Sequence, residues 1–244
     1  MPTAREKTSR PETPAAAPRP AARRPAGTGA KTAGKAAGRT AVKAGTGGSA
    51  LETRALILHH AARLLRENGY AAVSLRQIAA DVNIKAGSIY YHFASKEEIL
   101  FHVLEEGLRQ IVREVDKAVA GLPPGTPFRE RLRVVVRSHL HGLLQVGEFP
   151  SANIRIYGQV PEEVRRRHYV ARRAFADWWD RFFAEAVKEG SLRADLNLSV
   201  VRVFVVAALN WTVEWYDPKR GSFDALADQI YTIIADGLVL DQRP

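Results

Sequence analysis

The chain has 244 residues, of which 46% are hydrophobic, so it can bury a sizeable core in one large domain or two smaller ones. It contains no cysteine, which excludes disulfides, thiol nucleophiles and cysteine-ligated metal sites and agrees with a reducing cytoplasm. The formal net charge of +10 makes polyanions, either nucleic acid or an acidic membrane surface, the expected partners.

Most of this charge lies in residues 1–50, which hold ten Lys or Arg against two Glu, a net charge of +8. The segment is nearly all Ala, Pro, Gly, Thr, Lys and Arg, and it cannot bury enough apolar surface to offset the entropy of ordering. We therefore predict a disordered basic tail. A solvated extension, a nonspecific DNA-gripping arm and an organelle transit peptide are all open, although the prolines count against the last.

From Leu51 onward the sequence shows helical periodicity and almost no strand alternation, which predicts an all-α fold. The first helix is predicted at about 52–68. It places Ile57 and Ala61 on one stripe and ends at Gly69, because glycine readily takes the left-handed conformation that terminates helices.

The stretch VSLRQIAADV predicts a short second helix at 75–82. Ser74 is placed to cap its start, with Gln77 three residues on, as in a capping box. The helix is expected to end at Asn83, since asparagine is one of the few non-glycine residues that tolerate a positive φ.

The next stretch, KAGSIYYHFASKEE, spans residues 85–98 and contains two adjacent tyrosines followed by a histidine. Adjacent rings cannot share one face of a helix, so some of them must point away from the core. Ile89 and Phe93, four residues apart, can hold this third helix to its neighbours. Ser95 and Glu98 form a second capping signal, which predicts a long helix at roughly 96–119.

A helix, a three-residue turn and a short helix make the helix-turn-helix arrangement, whose second helix enters the DNA major groove. Residues 52–100, above all SLRQIAADVNIKAGSIYYHFASKEEIL, resemble the DNA-binding domain of the TetR (tetracycline-repressor-like) family of bacterial transcription regulators. The family usually has glycine where this chain has Asn83, and we expect the turn to survive. The resemblance implies DNA-facing positions at Ser74, Arg76, Ala86, Gly87, Ser88, Tyr90, Tyr91 and His92, and a phosphate contact by Lys96.

Beyond Gly121 the sequence breaks at GLPPGTP and resumes as predicted helices. Their approximate ranges are 127–146, 151–158, 161–189, 198–216 and 222–239. The resemblance implies about nine helices in all, with a DNA-binding domain at 51–98 and a bundle for ligand binding and dimerisation at 99–244. KEGSLRADL and LNWTVEWYDPKRGS are similar to stretches of a TetR subgroup that often senses acyl-CoA thioesters, so a long-chain or aromatic acyl-CoA is the expected effector.

The helix at 198–216 is apolar on nearly every side, so other helices and a second subunit are expected to cover it. The helix at 222–239 carries an apolar stripe of Leu226, Ile230, Ile233, Ile234 and Leu238. Two such helices per chain could form a four-helix homodimer core. A monomer that buries both helices internally is the alternative.

A ligand cavity needs apolar walls and a few directional polar groups. The candidates in the second half are His139, Asn153, Tyr157, Trp178, Asn210, Trp211 and Trp215. Each of them could equally be an ordinary core residue. The run RRRHYVARR, with Arg165, Arg166, Arg167, Arg172 and Arg173, could bind ligand phosphates or be a solvated helix face.

No enzyme, metal or cofactor chemistry is expected. The pairs His59–His60 and His139–His141 lack the i, i+4 spacing that chelates a metal on a helix, and no phosphate-cradling loop or nucleophile elbow occurs. The richest hydrophobic run, 198–213, contains Arg202 and Asn210, so no membrane span is expected.

These patterns together predict a cytoplasmic, homodimeric transcriptional regulator. We expect a repressor that is released from a palindromic double-stranded operator by a small molecule. The alternative is a ligand-independent architectural or nucleoid-associated DNA-binding protein that uses the basic tail.

Overall fold

In the computed structural model, residues 50–239 are described, and they form an all-α fold, as predicted. The helices are α1 Ala50–Ala72, α2 Leu75–Val82, α3 Ile89–His92, α4 Lys96–Ala120, α5 Phe128–Leu144, α6 Glu148–Ile156, α7 Glu162–Lys188, α8 Leu198–Trp215 and α9 Phe223–Leu238. Two 3-10 turns, Ala86–Ser88 and Tyr157–Gln159, precede α3 and follow α6. The predicted basic tail lies outside the described residues, apart from its last residue, which opens α1.

The boundaries of α2 match the prediction because local hydrogen bonds fix both of them. The Ser74 hydroxyl accepts from the Gln77 backbone N–H, and the Gln77 side chain accepts from the Ser74 N–H at 2.8 Å, which completes the capping box. Asn83 adopts φ 61° and ψ 41°, and its N–H donates to the Ala80 carbonyl at 3.1 Å. The turn therefore tolerates asparagine in place of glycine.

The end of α1 is more elaborate than predicted. Gly69 has φ 77° and ψ 169°, which breaks the helix where expected, but helical hydrogen bonding resumes and continues to Ala72. Just after the break, the Tyr70 N–H donates to the Gln159 side-chain oxygen at 2.8 Å. A side chain at position 69 would also meet Gln159, so glycine serves both the φ angle and this contact.

Two expectations about the second half need correction. α6 begins at Glu148 rather than at 151, because Pro150 sits in its first turn, where the missing N–H needs no partner. On α9, Ile233 is exposed while Ile234 is buried, since neighbouring residues are about 100° apart on a helix. The buried face of α9 is formed by Ala227, Tyr231, Ile234 and Ala235.

Two main clusters of buried side chains organise the fold. The first joins α1, α2, α3 and the first half of α4 to α6 and the start of α7, where Ala152, Ile156 and Val164 are buried against the others. The second joins α5, α7, α8 and α9. The first cluster runs across the boundary predicted between residues 98 and 99, so that boundary does not separate two cores.

One helix within residues 50–239, α8, is long and apolar enough by length and composition to cross a membrane. A membrane span is not expected from a run of uncharged residues in the sequence, because α8 includes Arg202 and Glu214. Only 28% of the helix is buried within the chain. Its exposed large apolar residues are Val200, Val203, Phe204, Trp211 and Trp215.

Candidate functional site

The third helix presents its two tyrosines outward on two buried anchors. Ile89 and Phe93 are buried, as predicted, whereas Tyr90 and Tyr91 are 61% and 81% exposed. The remaining predicted DNA-facing residues of α2 and of the α3 segment are exposed, except His92, which is half-buried: Ser74, Arg76, Ala86, Gly87 and Ser88. A cluster of exposed polar and aromatic groups on a short, rigidly anchored helix is suited to contacts with phosphates and base edges.

Arg54 of α1 holds the end of α3, which the sequence analysis did not foresee. Its guanidinium donates to the His92 carbonyl at 2.5 Å and stacks over the Phe93 ring at 3.9 Å. It also lies 2.7 Å from His102 Nε2 on α4. A cation at the C-terminus of a helix compensates its unpaired carbonyls, so Arg54 fixes the position of α3 against α4.

Lys96, the predicted phosphate contact, is already engaged within the protein. Its ammonium group donates to the Tyr70 carbonyl at 2.5 Å and lies 3.8 Å from the centre of the Tyr70 ring. Burial lowers the pKa of Lys96. Burial and a hydrogen bond to Glu97 raise the pKa of Tyr70 to about 12. Lys96 therefore joins α1 to α4, and its contact with phosphate stays a prediction.

A partly open cavity of about 100 Å³ lies in the bundle, between α4, α5, α6, α7 and α8. Three of the predicted ligand residues, His139, Asn153 and Asn210, line it together. The sequence analysis missed Trp179 and Arg202 as lining residues, and it considered Arg172 only as a phosphate contact. The remaining walls are apolar: Leu108, Ile111, Ile154, Phe175, Ala176 and Val206.

His139 is the most perturbed group at this cavity. Its Nε2 lies 3.0 Å from Asn210 Oδ1, and its ring is stacked on Phe175. Burial lowers the pKa of His139 to about 4, with the hydrogen bond to Asn210 opposing the shift. The imidazole is therefore neutral at physiological pH.

Asn153 connects the cavity to the long helix α4. Its side-chain amide donates to the Leu104 carbonyl at 3.1 Å. The two helices approach so closely here that a Cβ added to Gly107 would lie 2.4 Å from the Phe149 carbonyl oxygen. At its other end α6 contacts α1 through an ion pair between Glu148 and Arg66, 2.7 Å apart. The cavity wall is thus continuous with helices that carry the α3 surface.

The other predicted ligand residues do not join this cavity. Tyr157 lies beneath the Arg172 guanidinium, 3.8 Å from it, and Trp178 packs face to face on Phe182. Trp211 and Trp215 are on the exposed face of α8. The seven candidates therefore do not form one site, because helical periodicity does not show which polar residues converge.

The arginine run along α7 divides into paired and unpaired members. Arg165 pairs with Glu162, and Arg173 pairs with Asp177. Arg167 instead lies over the Phe101 ring at 4.1 Å, and Arg172 lies over Tyr157. Neither of these two has a carboxylate partner within residues 50–239. Among the same residues, no group of three or more His, Asp or Glu side chains is arranged to hold a metal ion.

Two family models match the chain. Residues 57–103 match the model "Bacterial regulatory proteins, tetR family", and residues 125–238 match "Tetracyclin repressor-like, C-terminal domain". Together they cover α3 with its neighbours and nearly the whole bundle.

Individual proteins are similar over most of the chain. The "HTH-type transcriptional repressor KstR2" of Rhodococcus jostii is 28% identical over 196 residues, covering 76% of this chain and 90% of that protein. The "Fatty acid metabolism regulator protein" of Bacillus subtilis is 21% identical over 189 residues, covering 75% of this chain and 93% of that protein.

A solved structure, that of AibR in complex with isovaleryl coenzyme A and operator DNA, superposes with a TM-score of 0.67 at 22% identity, over 75% of this chain and 97% of that one. At this identity the likeness concerns the fold. The curated relatives are transcriptional repressors and regulators, which agrees with the absence of a catalytic motif from the sequence. With its N-terminal and C-terminal parts both matched by models of one family, the chain belongs to the TetR family of bacterial regulatory proteins.

Proposed function

We propose that this chain is a ligand-responsive repressor, which binds a palindromic operator through α3 and is released from it by a small molecule. The observation that carries the proposal is the pairing of two features in one rigid scaffold. One is an exposed aromatic helix held by Ile89, Phe93 and Arg54, and the other is a polar-lined internal cavity. α4 and α6 connect the two, and a ligand that prefers one arrangement of these helices shifts the affinity for DNA.

A homodimer explains both the palindrome and the exposed face of α8. Contiguous apolar surface of this kind usually marks an interface, and here it has the length of a whole helix. A two-fold axis through such a face would set two α3 helices on successive half-sites of the operator.

An acyl-CoA is the effector class that these features support best. Its acyl part needs an apolar cavity, and its phosphates need an arginine that is free of carboxylate partners, as Arg167 is within residues 50–239. AibR, which shares the fold, has been solved with isovaleryl coenzyme A. A cavity of about 150 Å³ is enough to hold benzene. The roughly 100 Å³ found here therefore favours a short acyl group over the long-chain or aromatic one expected from the sequence.

The expected location is the cytoplasm. The supporting observations are a chain without cysteine and a family of DNA-binding regulators.

The DNA-binding part of the proposal is tested by fluorescence anisotropy on a palindromic site selected from random DNA by the wild-type protein. Tyr91→Ala should weaken binding by about tenfold or more, since one good base contact is worth about 1–3 kcal/mol. Tyr169→Ala removes a similarly exposed tyrosine from α7 and serves as the matched control. Unchanged affinity for Tyr91→Ala, with both variants folded, would contradict the assignment of α3 to the groove.

The effector part is tested with isovaleryl-CoA, butyryl-CoA and octanoyl-CoA beside their free acids, in thermal-shift and gel-shift assays. We expect a short thioester to raise the melting temperature and release the DNA, with the free acids acting less. A tenfold loss of operator affinity requires only about 1.4 kcal/mol of differential binding. Release by free acids as strongly as by thioesters would reject the coenzyme A part.

A further inference from the structure

Three side chains around the internal cavity each leave one buried polar atom without a hydrogen-bond partner in the described part of the chain. The atoms are His139 Nδ1, Asn153 Oδ1 and Trp179 Nε1. All three side chains are almost completely buried, and all three line the same cavity of about 100 Å³. Buried polar groups are nearly always paired in folded proteins, so a cluster of three at one cavity indicates an occupant that pairs with them.

The hydrogen-bond role of each atom follows from its surroundings. The indole N–H of Trp179 can only donate. Asn153 already donates its amide to the Leu104 carbonyl, so its free Oδ1 is an acceptor. His139 faces Asn210 Oδ1 with Nε2, which therefore carries the proton and leaves Nδ1 as an acceptor. The residues that line the cavity thus hold one unpaired donor and two unpaired acceptors.

The occupant's polar group should be neutral. Among the residues that the structure describes, no carboxylate lines the cavity to attract a cation, and the His139 imidazole is uncharged. Of the two arginines at its wall, Arg202 is paired with Asp180 at 2.8 Å, whereas Arg172 is stacked on Tyr157 and has no carboxylate partner within residues 50–239. A carboxylate drawn in by Arg172 could not donate to His139 Nδ1 or Asn153 Oδ1, so an anion would leave both acceptors unpaired. A purely hydrocarbon group, in contrast, would leave all three atoms unpaired in an apolar setting, which is unfavourable for each of them.

We infer, on the basis of the proposed effector class, that the part of the effector entering this cavity carries a hydroxyl group. A hydroxyl accepts from the Trp179 N–H and donates to His139 Nδ1 or Asn153 Oδ1. The remaining acceptor is left for a bound water molecule. The effector is therefore a short hydroxyacyl thioester rather than the saturated acyl analogue.

Isothermal titration of the purified full-length protein with butyryl-CoA, 3-hydroxybutyryl-CoA and 4-hydroxybutyryl-CoA tests this inference. One hydroxyacyl thioester should bind about tenfold more tightly than butyryl-CoA, as expected for hydrogen bonds that only the hydroxyl can form. Trp179→Phe should remove most of this preference. Any change in cavity volume caused by that variant affects both members of the pair and cancels in their ratio.

Ser138→Ala is the control variant, because Ser138 is buried but donates to the Val135 carbonyl and does not line the cavity. It should keep the preference. If Trp179→Phe does not fold, as judged by circular dichroism, His139→Phe removes an acceptor and retains a ring that can stack on Phe175.

Equal affinity for butyryl-CoA and both hydroxyacyl thioesters would overturn the inference that the effector carries a hydroxyl group, since bound water would then pair with the three atoms. The proposal of a coenzyme A thioester would not be affected. A preference that survives in Trp179→Phe and His139→Phe would overturn the assignment to this cavity. Absence of binding by all three thioesters, together with isovaleryl-CoA and octanoyl-CoA, would reject both the effector class and the hydroxyl.

Discussion

His139 links the stability of the bundle to pH. Burial lowers its pKa to about 4 in the folded protein, whereas the unfolded chain has the ordinary value of 6.5. Between these two values the unfolded state binds more protons, so the contribution of His139 to stability is fully present above pH 6.5 and is lost as the pH drops towards 4. One fully shifted group contributes roughly 3 kcal/mol over this window.

Urea unfolding at pH values from 7.5 to 4.5 measures this effect. We expect His139→Gln to lose less stability on acidification than the wild type does, while His59→Gln, which changes an exposed histidine, should follow the wild type. Some pH dependence will persist, because burial also lowers the pKa of His168, beside Glu105. Parallel curves for wild type and His139→Gln would contradict the assignment.

The sequence predicted the exposure and backbone conformation of candidate-site residues where the signal is local. The exposure of Tyr91 followed from adjacent rings on one short helix, and the fit of Asn83 followed from its tolerance of positive φ. Arg54 and Trp179 were missed because their partners are distant in the chain: Arg54 meets the His92 carbonyl 38 residues away. Nothing in the spacing of the sequence predicts such a pair.

The close approach of α4 and α6 at Gly107 predicts opposite effects for two glycine substitutions. A Cβ at Gly107 would meet the Phe149 carbonyl oxygen and Asn153 Cβ, so Gly107→Ala should force the helices apart and destabilise the protein by about 1–3 kcal/mol. Gly237 lies in helix α9, and no described residue comes near a Cβ added there. Gly237→Ala should therefore stabilise by roughly 0.5–1 kcal/mol.

Chemical denaturation of both variants at pH 7.5, where His139 is neutral, measures their free energies of unfolding. The difference between them is the informative quantity, since both replace glycine by alanine within a helix. If Gly107→Ala were as stable as Gly237→Ala, the two helices would not be in contact as described.

Helix boundaries with a capping residue were predictable, and those governed by packing were less so. Ser74 and Ser95 mark the starts of α2 and α4 because each satisfies an N–H of its own first turn. The predicted start of α6 was wrong because Pro150 suggests a break in the helix, whereas proline is tolerated in the first turn. The face of α9 that turns inward depends on which helices surround it, which a stripe of apolar residues does not specify.

The exposed face of α8 predicts how the oligomer responds to a charge. Phe204 is 64% exposed in the isolated chain, near the middle of this face. Phe204→Asp should raise the dimer dissociation constant by at least about tenfold, because it places a charge in an interface centre where large side chains dominate binding. Val170→Asp, at a 73% exposed valine on α7, is the control.

Sedimentation equilibrium measures the dimer constant of both variants, and anisotropy on the selected palindrome measures their affinity for DNA. Phe204→Asp should lose both together, since two half-sites are held by one dimer. A Phe204→Asp protein that is still dimeric at nanomolar concentration would show that another surface joins the subunits.

The core shared by α1, α3, α4 and α6 determines where this chain can be spliced to another regulator. A chimera joined between α3 and α4 would keep α3 but would replace the α4 residues that share a core with Ile89 and Phe93, among them Ile99 and Val103. α6 contributes Ala152 and Ile156 to the same core. The buried face of α6 must therefore also fit the DNA-binding helices that are transplanted. A designer who exchanges operator specificity should therefore transplant α1 to α4 and redesign the inner face of α6 to fit.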